Sequence, residues 1–126
     1  MPYQINEDMT IIVKHKEWTF EFRLPTLFDQ GKLGMRAKNL RLQTFPDSDG
    51  SEAGLDLDTI YLFRALAVVD VALSKTDAPW IPRKEDDLQK KVVFDSTKIE
   101  SRYFNDLMEV YSGYLDAQDS FRSGGV

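Results

Sequence analysis

The stretch WTFEFRLPTLFD, residues 18–29, joins two structural periods at one proline. Before Pro25 the residues alternate. Trp18, Phe20, Phe22 and Leu24 fall on one face, and Thr19, Glu21 and Arg23 on the other. That is the period of a half-buried strand. Pro25 lacks an N–H and has a fixed φ, so it ends the strand and suits a turn. Thr26 then fits the N-cap of a helix, with its hydroxyl accepting from the N–H of Asp29. The acid at 29 lies in the first turn, where the helix dipole favours an anion.

The segment ahead, TIIVKHKEWTFEFRL, completes a β-hairpin through the polar connector HKE. Two strands alone are marginal in water. The hairpin therefore needs a third strand, a helix across its aromatic face, or a second molecule. VVF, residues 92–94, is a candidate third strand.

The helix after Pro25 is expected from Leu27 to Gln43. Gly31 and Gly34 each weaken it by about 1 kcal/mol relative to alanine. Its apolar residues form two thin stripes, Phe28/Met35/Leu42 and Leu33/Ala37/Leu40. Both cannot face one core, so one is available to a partner. Lys32, Arg36, Lys38 and Arg41 make the segment locally basic. They fit a docking face for an acidic partner, a nucleic-acid contact, or a solvated face balanced by the acidic loop that follows.

That loop, TFPDSDGSEAGLDLD, leads into TIYLFRALAVVDVALSK, the most apolar segment and an expected helix. A helix apolar nearly all round is usually central. Its strip of Ile60, Phe63, Ala67 and Val71, rimmed by Arg64 and Asp70, reads either as buried core or as a protein contact surface. The loop's acids resemble calcium-loop spacing. Counted from Asp47, however, the glycine, Gly50, stands fourth and not sixth, and Asp58, not a glutamate, occupies the twelfth position. A solvated loop in which Asp56 or Asp58 caps the next helix is the simpler reading. RKEDDLQKK is a mixed-charge segment expected to be exposed. Thr97 and Glu100 have capping-box spacing. The last helix is expected from Lys98 to Phe121, with Asn105, Glu109, Ser112, Asp116 and Asp119 on its polar face.

At 126 residues the chain is long enough for one domain with its own core. Residues 1–9 are expected to be a flexible N-terminus, 10–122 one α+β domain, and 123–126 a disordered tail. The expected fold is α+β, an N-terminal β-hairpin packed against about three helices. There is no cysteine and one histidine, so neither thiolate chemistry nor the usual zinc sites can be assembled within one chain. His15 reads as a surface turn residue with no obvious acid or nucleophile beside it, and no G-x-S-x-G pattern is present. No cofactor is expected. A net charge of −5 argues against a nucleic-acid partner. No apolar run is long enough to span a bilayer, and the start lacks a signal pattern, so a soluble intracellular protein without a membrane partner is expected.

The order of parts resembles a known family. An F-x-F-x-L-P-T opening at Phe20, Phe22, Leu24, Pro25 and Thr26 leads into a helix with a central Arg36. An alanine- and valine-rich helix follows, then Pro79-Trp80, then a last helix with Tyr111, Tyr114 and Phe121. Over residues 18–122 this is similar to the tail assembly chaperones of long-tailed bacteriophages. The resemblance implies a non-enzymatic protein of the host cytoplasm that coats the tape-measure protein while tail-tube subunits polymerise around it. It also implies a homo-oligomer, and often a longer form made by a programmed ribosomal frameshift. Some members are described as essentially helical, so the hairpin is a departure in emphasis. The family has no catalytic residues to carry over. The expected protein-binding residues are Phe28, Met35, Arg36, Arg41, Leu42, Ile60, Phe63, Ala67 and Val71. The runner-up function is a structural virion adaptor, at the head–tail joint or the baseplate. A small enzyme with an unrecognised site is a third reading.

Overall fold

A computed structural model of the protein describes residues 3–86 and 91–122. Among these the architecture is α+β, with three α-helices and an N-terminal antiparallel sheet. The strands β1 (Tyr3–Ile5), β2 (Thr10–His15) and β3 (Trp18–Arg23) are followed by α1 (Leu27–Thr44) and α2 (Leu57–Val71). Then come β4 (Leu73–Thr76), β5 (Arg83–Asp86), β6 (Lys91–Phe94) and α3 (Phe104–Arg122).

The alternation in β3 does what its period requires. Phe20 and Phe22 are buried, as are Ile11 and Val13 opposite them in β2. The reverse face carries Lys14, Thr19 and Glu21, which are exposed or half-buried. The β2–β3 turn is tighter than the HKE connector suggests. His15 pairs with Trp18, leaving Lys16 and Glu17 as the turn, with Lys16 in the left-handed region at φ 55°.

The junction at Pro25 forms as expected. Thr26 is the N-cap of α1, and its hydroxyl accepts from Asp29 N at 3.2 Å. Asp29 reciprocates by accepting from Thr26 N at 3.1 Å. The two bonds satisfy two donors that the helix start would otherwise orphan.

The third strand is a correction. The expected helix over TIYLFRALAVVDVALSK ends at Val71, and Leu73–Thr76 forms β4 on the free edge of β3. An unpaired β3 edge would leave a row of N–H and C=O groups without partners. LSKT satisfies them while burying Leu73 and Thr76 and exposing Ser74 and Lys75. Thr76 Oγ1 also donates to Thr19 O at 2.8 Å. The 92–94 segment is a strand, but it pairs with β5 in a separate two-stranded sheet. Of the mixed-charge segment, Arg83 and Lys84 are exposed, and 87–90 lie outside the described residues.

The N-terminus is corrected as well. Tyr3–Ile5 is not loose chain but pairs with Ile11–Val13 and closes the other sheet edge. The final order is β1-β2-β3-β4, antiparallel throughout. The expected tail at 123–126 lies outside the described residues.

The last helix begins later than Lys98. Thr97 does not cap it. Asp95 accepts from Thr97 N at 3.1 Å and from its hydroxyl at 2.6 Å, holding Ser96–Lys98 as a 3₁₀ turn. A second 3₁₀ turn at Ser101–Tyr103 then leads into α3. The polar residues Asn105, Glu109, Ser112, Asp116 and Asp119 all face solvent.

α3 lies across the buried face of the sheet, and Leu107, Val110, Tyr114 and Ala117 join Ile11, Val13, Phe20 and Phe22 in one core. Phe22 and Tyr114 rings meet at 5.1 Å. Gly113 sets the approach of helix to strand. A Cβ there would stand 2.9 Å from Val13 Cγ1, which is buried and stiff at χ1. α2 adds Ala65, Val68, Val69 and Ala72 to the same core, and α1 packs along α2. Among the described residues no helix is long and apolar enough to cross a membrane.

Candidate functional site

α1 separates its two stripes as its periodicity demands. Ala37 and Leu40 are buried and Leu33 is half-buried. On the other stripe Phe28 is 74% exposed and Met35 59% exposed, with Leu42 half-buried. At 1.5 Å per residue, Phe28 to Leu42 spans about 21 Å of helix surface. Lys32 lies over the Phe28 ring at 4.9 Å from its centroid.

The basic residues of α1 do not all share that face. Arg36 Nε donates to Asp70 Oδ2 at 2.8 Å. Arg41 is buried. Its Nε donates to Gly50 O at 2.6 Å, and its Nη1 lies 3.7 Å from Glu52. Gly50 is at φ 78°, and a Cβ there would meet Leu42 at 2.9 Å, so glycine is required where the acidic loop turns back onto α1. The expectation of Arg36 and Arg41 as partner-steering cations is therefore corrected: both are engaged inside the chain.

For the α2 strip the buried-core reading holds, and its place among the expected protein-binding residues is corrected. Phe63 and Ala67 are buried, Ile60 and Val71 are half-buried, and α1 packs along this helix. Phe63 meets the Phe45 ring at 6.3 Å. Here the strip is core. Asp70 does more than rim the strip. It accepts from Arg36, from Ser96 N at 2.8 Å and from Ser96 Oγ at 2.7 Å, joining α1, α2 and the 3₁₀ turn before α3.

A cleft of about 370 Å³ opens where the three helices meet. Leu33, Ala37, Val68 and Leu115 form its apolar lining. Arg41, Arg64, Arg122 and Glu52 form its charged lining. Arg64 grips Glu52 in a bidentate pair, with Nε and Nη2 at 2.8 and 2.7 Å. The Arg64 guanidinium, with Arg41 adding to it, holds the Glu52 carboxyl below its ordinary value. Tyr114 and Gln118 are also in the lining, and the Tyr114 Oη and Gln118 Nε2 atoms are buried and without a hydrogen-bond partner among the described residues. Burial pushes the Tyr114 hydroxyl above the ordinary phenol range, so it stays protonated at neutral pH.

His15 has acids beside it, contrary to expectation, because α3 brings them. Its Nε2 is 2.7 Å from Asp106 Oδ1 and its Nδ1 is 3.2 Å from Glu109 Oε2. Lys16 Nζ is 2.9 Å from Asp106. With carboxylates at both ring nitrogens, neither is presented to a nucleophile as serine–histidine chemistry requires. Among the described residues no group of three or more His, Asp or Glu is placed to hold a metal ion. Asp56 caps α2, accepting from Thr59 N at 2.8 Å.

Compared with protein-family models, curated proteins and solved structures, the chain matches none.

The acid pair at the hairpin turn makes a pH prediction. The hydrogen bond from His15, then that from Lys16, holds the Asp106 carboxyl below its ordinary 3.8. The folded state therefore binds this proton less readily than the unfolded state. Its stabilising effect is present above 3.8 and is lost as pH falls through the depressed folded value. Urea midpoints for wild type and Asp106→Asn should differ at neutral pH, begin to approach each other near 3.8, and converge only once the pH is below the depressed folded value. Parallel profiles down to acid would show that Asp106 contributes nothing in this way.

The Phe28/Met35 stripe was legible because one helix generates it. The cleft was not. Its two unpaired groups, Tyr114 and Gln118, stand one turn apart on α3, and their spacing is that of any core-facing pair.

Proposed function

We propose that the chain is a non-enzymatic protein-binding domain, a phage tail assembly chaperone that holds the tape-measure protein, and with it tail-tube subunits, in the host cytoplasm. The observation that carries this reading is the uncovered apolar stripe of α1. Phe28 and Met35 project from a helix whose opposite stripe is already seated in the fold. Large apolar side chains left in water along one helix face suit docking onto another helix, as amphipathic partners do. The order of parts from Phe20 to Phe121 supports the family, and the engagement of His15 by two carboxylates supports a binding role over acyl transfer. Self-association belongs to the same reading. It rests on α1, since the α2 strip is inside.

Phe28→Glu with Met35→Glu tests the face. The double variant should melt within about 0.5 kcal/mol of wild type, since both side chains are solvent-exposed. Co-expressed with the tape-measure protein of the same phage, wild type should keep that protein soluble. The variant should recover at least ten-fold less complex. Equal recovery removes α1 as the docking face. Mass spectrometry of purified virions separates the rival. A chaperone is absent from finished particles, and a head–tail or baseplate adaptor is present.

A further inference from the structure

We infer that the cleft between α1, α2 and α3 is a binding site for a small organic carboxylate, an acid group carried on a compact apolar body. The inference goes beyond the docking role of α1, because Phe28 and Met35 do not line the cleft.

The volume of about 370 Å³ lies within the range of small-molecule sites. Two polar groups in the lining are unsatisfied. Tyr114 is 1% exposed and Gln118 8% exposed, and neither the hydroxyl nor the amide nitrogen has a partner among the described residues. A buried donor left unpaired is costly, and native folds rarely keep two side by side without a use. The Gln118 amide nitrogen can only donate and the Tyr114 hydroxyl can donate, so an acceptor satisfies both. A carboxylate offers two oxygens with about four lone-pair sites and can take both bonds.

The charge around the cleft fits the same chemistry. Three guanidinium groups, Arg41, Arg64 and Arg122, face one carboxylate, Glu52, in a chain whose overall charge is −5. Arg41 and Arg64 already share Glu52. Arg122 has no carboxylate of this lining assigned to it, and its charge acts on the Tyr114 hydroxyl. Asp29 also acts on that hydroxyl, but its carboxylate is committed to the cap at Thr26. Leu33, Ala37, Val68 and Leu115 offer an apolar wall to the body of the ligand. Carboxylate at the α3 floor and hydrocarbon against α1 and α2 is the pose that satisfies both halves.

The test uses the full chain with glutamine side chains labelled for NMR. The probes are butyrate, benzoate, octanoate and 4-phenylbutyrate, each beside its neutral amide. At least one carboxylate should shift the Gln118 side-chain amide signals saturably, and its amide should bind at least ten-fold more weakly. Tyr114→Phe should weaken that binding about ten-fold, the loss of one hydrogen bond to a charged group. The free variant should melt no lower than wild type, since the hydroxyl it removes has no partner among the described residues. Gln118→Met provides a second reading with the same expected loss. Phe28→Glu should bind the probe as wild type does, which keeps this result separate from the α1 face. The inference is overturned if no carboxylate of the panel shifts Gln118, if acid and amide bind equally, or if both cleft variants bind as wild type. It is overturned equally if a long-lived water is found bonded to the Gln118 amide and stays there when the probe is added.

Discussion

Replacing Asp70 by alanine should cost about 2–4 kcal/mol of folding stability. Its carboxylate is 10% exposed and accepts three hydrogen bonds, from Arg36 Nε, Ser96 N and Ser96 Oγ. Without it, Arg36 can turn to water, because its side chain is 30% exposed. Ser96 cannot, because it is 2% exposed. Most of the cost therefore comes from the two serine donors left dry. The effect should also be structural. The turn before α3 is held against α2 through this one carboxylate. Urea midpoints of wild type, Asp70→Ala, Ser96→Ala and the double variant would measure the coupling, expected at about 1 kcal/mol or more. Additive costs would show that the pair does not act as a unit.

Trp80→Ala should be at least as damaging, at about 3–5 kcal/mol. Trp80 sits between prolines, yet it is 6% exposed. It stacks on Tyr103 at 5.1 Å and 10°, meets Trp18 edge-on at 5.9 Å, and touches Phe20 at 5.7 Å. The indole thus fastens the sheet to the chain entering α3. At about 25 cal/mol per Å², a buried tryptophan of ~200 Å² contributes about 5 kcal/mol of transfer free energy, the same scale as the cavity estimate. Trp80→Phe should lose less, because it keeps a ring and discards an N–H that has no partner among the described residues. Circular dichroism melts would read both. A loss under about 1 kcal/mol for Trp80→Ala would mean that the indole does not fasten the sheet to the chain entering α3.

Both residues illustrate where local reading stops. The sequence alone determined whatever a single element's period can carry. Alternation from Trp18 to Leu24 placed Phe20 and Phe22 inside. Pro25 and Thr26 closed the strand and capped α1, because their φ restriction and hydroxyl act within four residues. The two stripes of α1 and the polar face of α3 followed from the 3.6-residue period. Which stripe stays uncovered was decided by the packing of α1, which leaves Phe28 and Met35 exposed. Tertiary structure decided the rest. LSKT left the helical period for a strand because the β3 edge lacked hydrogen-bond partners that no helix could supply. Tyr3–Ile5 became a strand for the same reason on the other side. Arg36, Arg41, Asp70 and His15 took their roles from partners 34, 9, 26 and 91 residues away, distances over which no local pattern carries information. The cleft with Tyr114 and Gln118 exists only where three helices meet, because a concavity belongs to the packing of elements and to none of them singly.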